Sequence, residues 1–331
     1  MPYPIEEKLV IAVASSALFD LSESDQVYRD QGLEAYRAYQ RQHDNDVLKP
    51  GIAFPLIKRL LALNSATQSD HPVDVILLSR NDPDTGLRVF RSIEHHKLDI
   101  TRAAFVSGRD PFRYLGSFNA CLFLSANAED VRSAIASGAP AGCVFPTEFV
   151  DKESDRELRI AFDFDGVIAD DSAEAVNTSA GLERFLESEQ NNAAVPLPIG
   201  PLHRFFAEVA KLQQSELALS KANPSHQPRV RIAIVTARNA PAHERVVTSL
   251  RKWGIQVDEV FFLGGISKAR ILREFRPHIF FDDQVSHIEG SAVIAPSAHV
   301  PFGVANQVSK GPGRAETAHE SVPQAPKERG A

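Results

Sequence analysis

The sequence predicts an α/β protein with a mainly parallel sheet, built as two related halves. Two observations carry that expectation. Short β-branched and aromatic runs alternate with longer stretches of helical period, and the same pattern returns once along the chain. Strand-like runs fall at 9–14, 73–79, 103–106, 120–124 and 142–145 in the first half, and at 158–163, 230–236, 259–263 and 278–281 in the second. Between them, 32–42, 54–63 and 128–136 read as amphipathic helices, as do 181–189, 201–219, 243–253 and 268–275, because their apolar residues recur at helical rather than strand spacing. The charged run DKESDRE at 151–157 reads as a linker. From about Lys310 the chain is too poor in large apolar residues to pack, which predicts a disordered tail over 306–331.

Composition narrows the function classes. The chain has 331 residues, 36 Lys plus Arg, 43 Asp plus Glu and a net charge of -7, enough for about two domains, each with its own core. The acidic balance argues against a nucleic-acid or anionic-membrane binder. Cys121 and Cys143 are too few for a disulfide scaffold or a cysteine metal cluster, and their apolar flanks suit buried thiols in a reducing compartment. No apolar run approaches the roughly 20 residues of a membrane span, and no signal-peptide pattern opens the chain. The expectation is a cytoplasmic protein.

The repeat sets Gly32-Leu33-Glu34 on Gly181-Leu182-Glu183, Gly51 on Gly200 and Ile11 on Ile160. Further on, Arg80-Asn81 matches Arg238-Asn239, and Phe105, Gly108, Leu115, Phe118 and Phe123 match Phe262, Gly265, Leu272, Phe275 and Phe280. This divides the chain at 1–150 and 151–305. The copies differ where chemistry would sit. Asp163 and Asp165 stand against Ala14 and Ser16, Asp282 and Asp283 against Ser125 and Ala126, and Lys268 against Pro111.

In an open parallel sheet, ligands bind at the carboxyl ends of the strands. Asp163, Asp165, Thr236, Asp282 and Asp283 all lie at or just past such ends. Crowded carboxylates repel one another in a low-dielectric cleft, and a hard cation such as Mg²⁺ is their natural neutraliser. With Lys268 opening a helix and Thr236 offering a hydroxyl, the set suits a phosphoryl group facing a carboxylate nucleophile.

DFDGV at 163–167, Thr236 ending RIAIVT, Lys268 and Asp282-Asp283 resemble, in order, the four motifs of the haloacid-dehalogenase (HAD) superfamily. More narrowly, SSALFDL, SRNDPDTGLR, SIEHHKLDITRA, LFLSAN, VTARNA, WGIQVDEVFFLGG and RPHIFFDDQ resemble the cytosolic 5′-nucleotidase I family over about 8–305. Phe164 departs from the Gly found between the two aspartates in animal members. The resemblance implies two Rossmann-like halves. The first is degenerate. The second would be an Mg²⁺-dependent 5′-nucleotidase acting on nucleoside 5′-monophosphates of the AMP or IMP type through an aspartyl-phosphate. Asp163 would be the nucleophile, Asp165 the general acid and base, and Thr236 and Lys268 the phosphoryl-binding groups. Asp163, the Asp165 carbonyl, Asp282 and Asp283 would hold the metal.

The same resemblance makes 170–229 a helical cap over the site, with a structural helix pair as the alternative. In the first half, Arg80, Asn81 and Arg109 follow strand ends. They are candidates for base and ribose recognition or for an effector nucleotide, with helix capping and surface solvation as the alternative; Arg238 joins them as a substrate-binding candidate. Oligomeric state stays open, homo-oligomers included. The rival functions are a HAD phosphatase for another small phosphomonoester and a non-catalytic nucleotide sensor.

Overall fold

The computed structural model of the chain describes residues 3–66, 71–152 and 154–307. Its first half contributes β1 (Leu9–Val13), β2 (Val73–Ser79), β3 (Arg102–Phe105), β4 (Leu122–Ser125) and β5 (Ala141–Phe145). Its second contributes β6 (Leu158–Phe162), β7 (Val230–Thr236), β8 (Glu259–Phe262), β9 (Ile279–Asp282) and β10 (Ser297–His299). The helices are α1 (Ser15–Leu18), α2 (Ser22–Gln42), α3 (Phe54–Ala62), α4 (Leu87–His95) and α5 (Ala128–Ala136), then α6 (Ser172–Asn191), α7 (His203–Ala222), α8 (His243–Trp253), α9 (Lys268–Phe275) and α10 (Val285–Ala292). Among the described residues, no helix is long and apolar enough to cross a membrane. Of the tail expected over 306–331, Asn306 instead closes a 3-10 turn with Val304 and bonds the Asp283 and Phe302 carbonyls, and the part beyond residue 307 lies outside the described residues.

The ten strands of the described residues form one sheet, in the order β3-β2-β1-β4-β5-β10-β9-β6-β7-β8. Each half has the same internal order, and every pairing within a half is parallel. Within the sheet, among the described residues, the halves join where Ser297, Ala298 and His299 pair antiparallel with Phe145, Val144 and Cys143. That seam has a functional consequence. The strands of the two halves run in opposite directions, so their carboxyl ends open on opposite edges of the sheet.

The halves also share small structural devices. The backbone N–H of Leu48 donates to Ser92 Oγ at 3.0 Å, and that of Leu197 to Ser249 Oγ at 2.9 Å. Arg88 Nε donates to the Asp46 carbonyl and Arg245 Nε to the Val195 carbonyl, each at 2.9 Å. Beyond β2, Asn81 N–H donates to Ser79 Oγ at 3.2 Å, and beyond β7 Arg238 N–H donates to Thr236 Oγ1 at 3.2 Å. This last pair sets Asn81, not Arg80, opposite Arg238, one residue out from the match of the two Arg-Asn pairs.

The helix starts at 32 and 181 expected from sequence are interior points. α2 and α6 begin ten and nine residues earlier and break at Gly32 and Gly181, both with φ of 82°, a left-handed conformation that glycine adopts at little steric cost.

One face of the sheet carries a single core shared by both halves, whereas the opposite face carries two separate cores. α3 reaches across to touch β6, and α7 reaches back to touch β1. On α7, Phe205 and Phe206 are fully buried, with Phe206 edge-on to Phe162 at 5.2 Å and Phe162 stacked on Phe281 at 5.3 Å. Strands covered on both faces read as continuous apolar runs, as β1 does, and as β6 does apart from Arg159 near its start. Within the stretch expected as a cap, α7 therefore serves as a layer of the core.

Candidate active site

Four elements converge at the carboxyl edge of the second half. β6 ends at Phe162 and delivers Asp163; β7 ends in Thr236; β9 ends in Asp282, followed by Asp283; α9 opens with Lys268. All five side chains are buried, with Asp282 fully enclosed. Lys268 Nζ lies 2.8 Å from Asp163 Oδ2 and 2.7 Å from Asp282 Oδ2. The expected catalytic aspartate, threonine and lysine and the expected metal-binding pair are thus gathered at one edge.

The electrostatics follow from three buried carboxylates facing one lysine. Burial pushes Asp163 up to about 7 against the pull of Lys268, with Asp282 adding to the rise. Burial, then Asp163 and Asp282, push Asp283 up to about 9. Asp282 stays below the ordinary carboxylate value although burial opposes it, because Lys268 and His287 favour its ionised form. Burial also works against the charge on Lys268, but Asp163 and Asp282 outweigh it and hold the ammonium above the usual lysine value.

His287, on the first turn of α10, escaped the sequence reading. Its Nδ1 sits 3.2 Å from each oxygen of Asp282, and Asp163, Asp282 and His287 each offer a ligand atom within 4.8 Å of one another. Its position five residues after Asp282, just inside the following helix, was the available signal. Asp283 is pinned through its backbone: its carbonyl accepts from Asn306 Nδ2 at 2.8 Å and meets His299 Nε2 at 2.9 Å.

The cluster fits a divalent metal. Asp283 Oδ1 is buried and finds no hydrogen-bond partner among the described residues. A carboxylate oxygen in that position, among acids that retain protons for want of positive charge, is what a hard cation relieves. Gly166 keeps the space open: with φ of 70°, a Cβ there would lie 2.6 Å from the Asp283 carboxyl.

Asp165 points into a different network. Arg238 grips it from the side, Nε to Oδ2 and Nη2 to Oδ1, both at 2.7 Å. Arg238 also pairs with Glu189 of α6 and donates to the Ala242 carbonyl at 3.3 Å. Arg245 Nη1 meets the other Glu189 oxygen at 2.7 Å. Arg238 is therefore at the site, with its guanidinium engaged by protein carboxylates.

The first-half candidates lie elsewhere. Arg80 donates to Asp130, to Asp110 at 3.0 Å and to the Gly108 carbonyl at 2.8 Å, bracing the loop after β3. Asn81 accepts from the Tyr36 hydroxyl at 3.3 Å, and Arg109 is exposed. These residues follow β2 and β3, so they occupy the opposite edge of the sheet from Asp163. At the position of Asp163 and Asp165 the first half has Ala14 and Ser16, and neighbouring Ser15 bonds Ser79 at 2.9 Å.

A family model described as 5′-nucleotidase matches residues 1–307. The chain belongs to the 5′-nucleotidase family. Human cytosolic 5′-nucleotidase 1B is 35% identical over 309 residues, covering 91% of this chain and 50% of the relative. The chain thus spans about half the length of that curated relative. No solved structure matches the chain. The family match includes the first half as well as the second.

Proposed function

We propose that this protein is an Mg²⁺-dependent 5′-nucleotidase that hydrolyses nucleoside 5′-monophosphates of the AMP or IMP type. The convergence of Asp163, Thr236, Lys268, Asp282 and Asp283 at one strand edge carries the reading, within a chain matched by the family model almost throughout. In the first step an Asp163 carboxylate oxygen bonds to phosphorus as the bond from phosphorus to the 5′-oxygen breaks. Asp165, entering as the acid, gives its proton to that oxygen and the nucleoside leaves as an alcohol. Asp165, now a carboxylate, takes a proton from the water that attacks the phosphorus of the aspartyl-phosphate. Phosphate departs, and both aspartates return to their starting forms.

Lys268 and Thr236 orient the phosphoryl oxygens, with Lys268 held cationic by its two carboxylates. Asp163, the Asp165 carbonyl, Asp282 and Asp283 would hold the metal, with His287 orienting Asp282. A metal held there would supply positive charge to the phosphoryl group and would let Asp163 and Asp283 ionise together. The buried thiols, each pushed up to about 12 by burial, and the human cytosolic relative support a cytosolic setting.

A panel of phosphomonoesters, with and without EDTA, tests the proposal. EDTA-sensitive phosphate release from nucleoside 5′-monophosphates is expected, and Asp163→Asn should abolish it while the circular dichroism spectrum stays unchanged. Preference for sugar phosphates would transfer the site to a broader phosphatase, and no release from any substrate would favour a nucleotide sensor.

A further inference from the structure

The duplicated fold supplies an internal control for the network around Asp165. Both halves keep the arginine that ties the helix after the second strand to the loop ahead of α3 or α7: Arg88 to the Asp46 carbonyl and Arg245 to that of Val195. Both arginines also turn a second group towards the long broken helix. In the first half Arg88 meets Gln40 at 3.4 Å, whereas in the second Arg245 meets Glu189 at 2.7 Å. The fold therefore needs the arginine, and a neutral amide satisfies it.

Three positions change together between the copies. Where the second half has Asp165, Arg238 and Glu189, the first has Ser16, Asn81 and Gln40. Asn81 turns to Tyr36 instead. The half that lost the acid also lost the arginine beside it and the glutamate behind that arginine, while keeping the surrounding elements. The first half tethers its long helix with a different pair, Arg37 Nε to Asp82 Oδ2 at 3.0 Å, so holding that helix requires neither an arginine at position 81 nor an acid at position 40.

The geometry points to a role in catalysis. Asp165 lies on a loop and is partly exposed, yet the fork of Arg238 fixes the plane of its carboxylate through two bonds at 2.7 Å. Arg238 is 3% exposed and cannot swing while Glu189, at 1%, and the Ala242 carbonyl hold its other nitrogen. We propose that Arg238, locked by Glu189 and Arg245, is the positioning residue that holds Asp165 in line with the leaving 5′-oxygen. This rests on the acid–base role of Asp165 proposed above. Arg238 and Glu189 need touch neither substrate nor metal; they act through the carboxylate.

The test compares Glu189→Gln, Arg238→Lys, Arg238→Gln and Asp165→Asn in the metal-loaded full chain. The substrates are a nucleoside 5′-monophosphate and its analogue with sulfur as the bridging atom, whose thiolate leaves without a proton. Proper alignment of an acid is worth about 10²- to 10⁴-fold. On the oxygen substrate, Glu189→Gln should lose about tenfold in kcat/KM and Arg238→Gln about 100-fold, with KM nearly unchanged and Arg238→Lys intermediate. On the sulfur analogue these losses should shrink to about threefold or less, since the first step no longer needs the acid.

Equal losses on both substrates, or wild-type kcat in both Arg238 variants, would overturn the proposal. Arg238→Lys decides if Glu189→Gln fails to fold. Full activity in Asp165→Asn would instead remove the acid–base reading itself, whereas a crippled Asp165→Asn beside unaffected Arg238 variants removes only the positioning role.

Discussion

Replacing Asp283 with asparagine should stabilise the metal-free protein while destroying its activity. Asp283 is 3% exposed, its Oδ1 has no partner among the described residues, and burial with Asp163 and Asp282 pushes its carboxyl up to about 9. The folded chain therefore holds a proton that the unfolded chain releases near pH 4. Between those values the folded state binds more protons than the unfolded, so stability falls as pH rises and the cost is absent in acid. One fully titrating group contributes a slope of about 1.4 kcal/mol per pH unit. From pH 6 to 8 Asp283 alone predicts a loss of about 2–3 kcal/mol in EDTA, with Asp163, raised to about 7, adding to it.

Asparagine removes that titration, because an amide binds no proton in either state. At pH 8 in EDTA the variant should exceed wild type by about 2–4 kcal/mol. Mg²⁺ should reverse the order by binding folded wild type much more tightly than the variant. Urea unfolding at pH 6, 7 and 8, with EDTA or Mg²⁺, measures both effects. A variant less stable than wild type in EDTA at pH 8, or one with an unchanged pH slope, would refute the view of Asp283 as a carboxylate kept for a cation.

Gly166→Ala should weaken Mg²⁺ binding at least about tenfold by calorimetry, because its methyl would collide with the Asp283 carboxyl and its backbone is left-handed. Arg80→Ala should lower stability by about 1–3 kcal/mol in urea titrations, through loss of its bonds to Asp130 and Asp110, yet keep kcat within about twofold, since it lies on the far edge. Phe206→Ala should cost about 3–5 kcal/mol by opening a cavity under β6. If α7 were instead a cap outside the core, that variant would lose activity with little change in stability.

Much of this molecule is local enough to read from its residues. Apolar runs gave nearly every strand, and the repeat exposed where Asp163, Asp165, Lys268, Asp282 and Asp283 replace inert residues. Those features are legible because strand ends in a parallel sheet place motif residues together whatever the loops do. The true starts of α2 and α6 were obscured by Gly32 and Gly181, since a glycine that breaks a helix also resembles its boundary. His287 and Glu189 were missed because each acts through a partner distant in sequence or across a turn.

Tertiary structure alone decided how the halves face. β10 is three residues, Ser-Ala-His, with no apolar signature of its own, and the apolar run ahead of it gives no direction. Its antiparallel pairing with β5 reverses the second half and sends Arg80, Asn81 and Arg109 to the edge away from Asp163. Sequence determines which residues sit at strand ends, because that depends on nearest neighbours along the chain. Which ends share an edge depends on a pairing between residues some 150 positions apart, fixed only once α3 and α7 bury one common core.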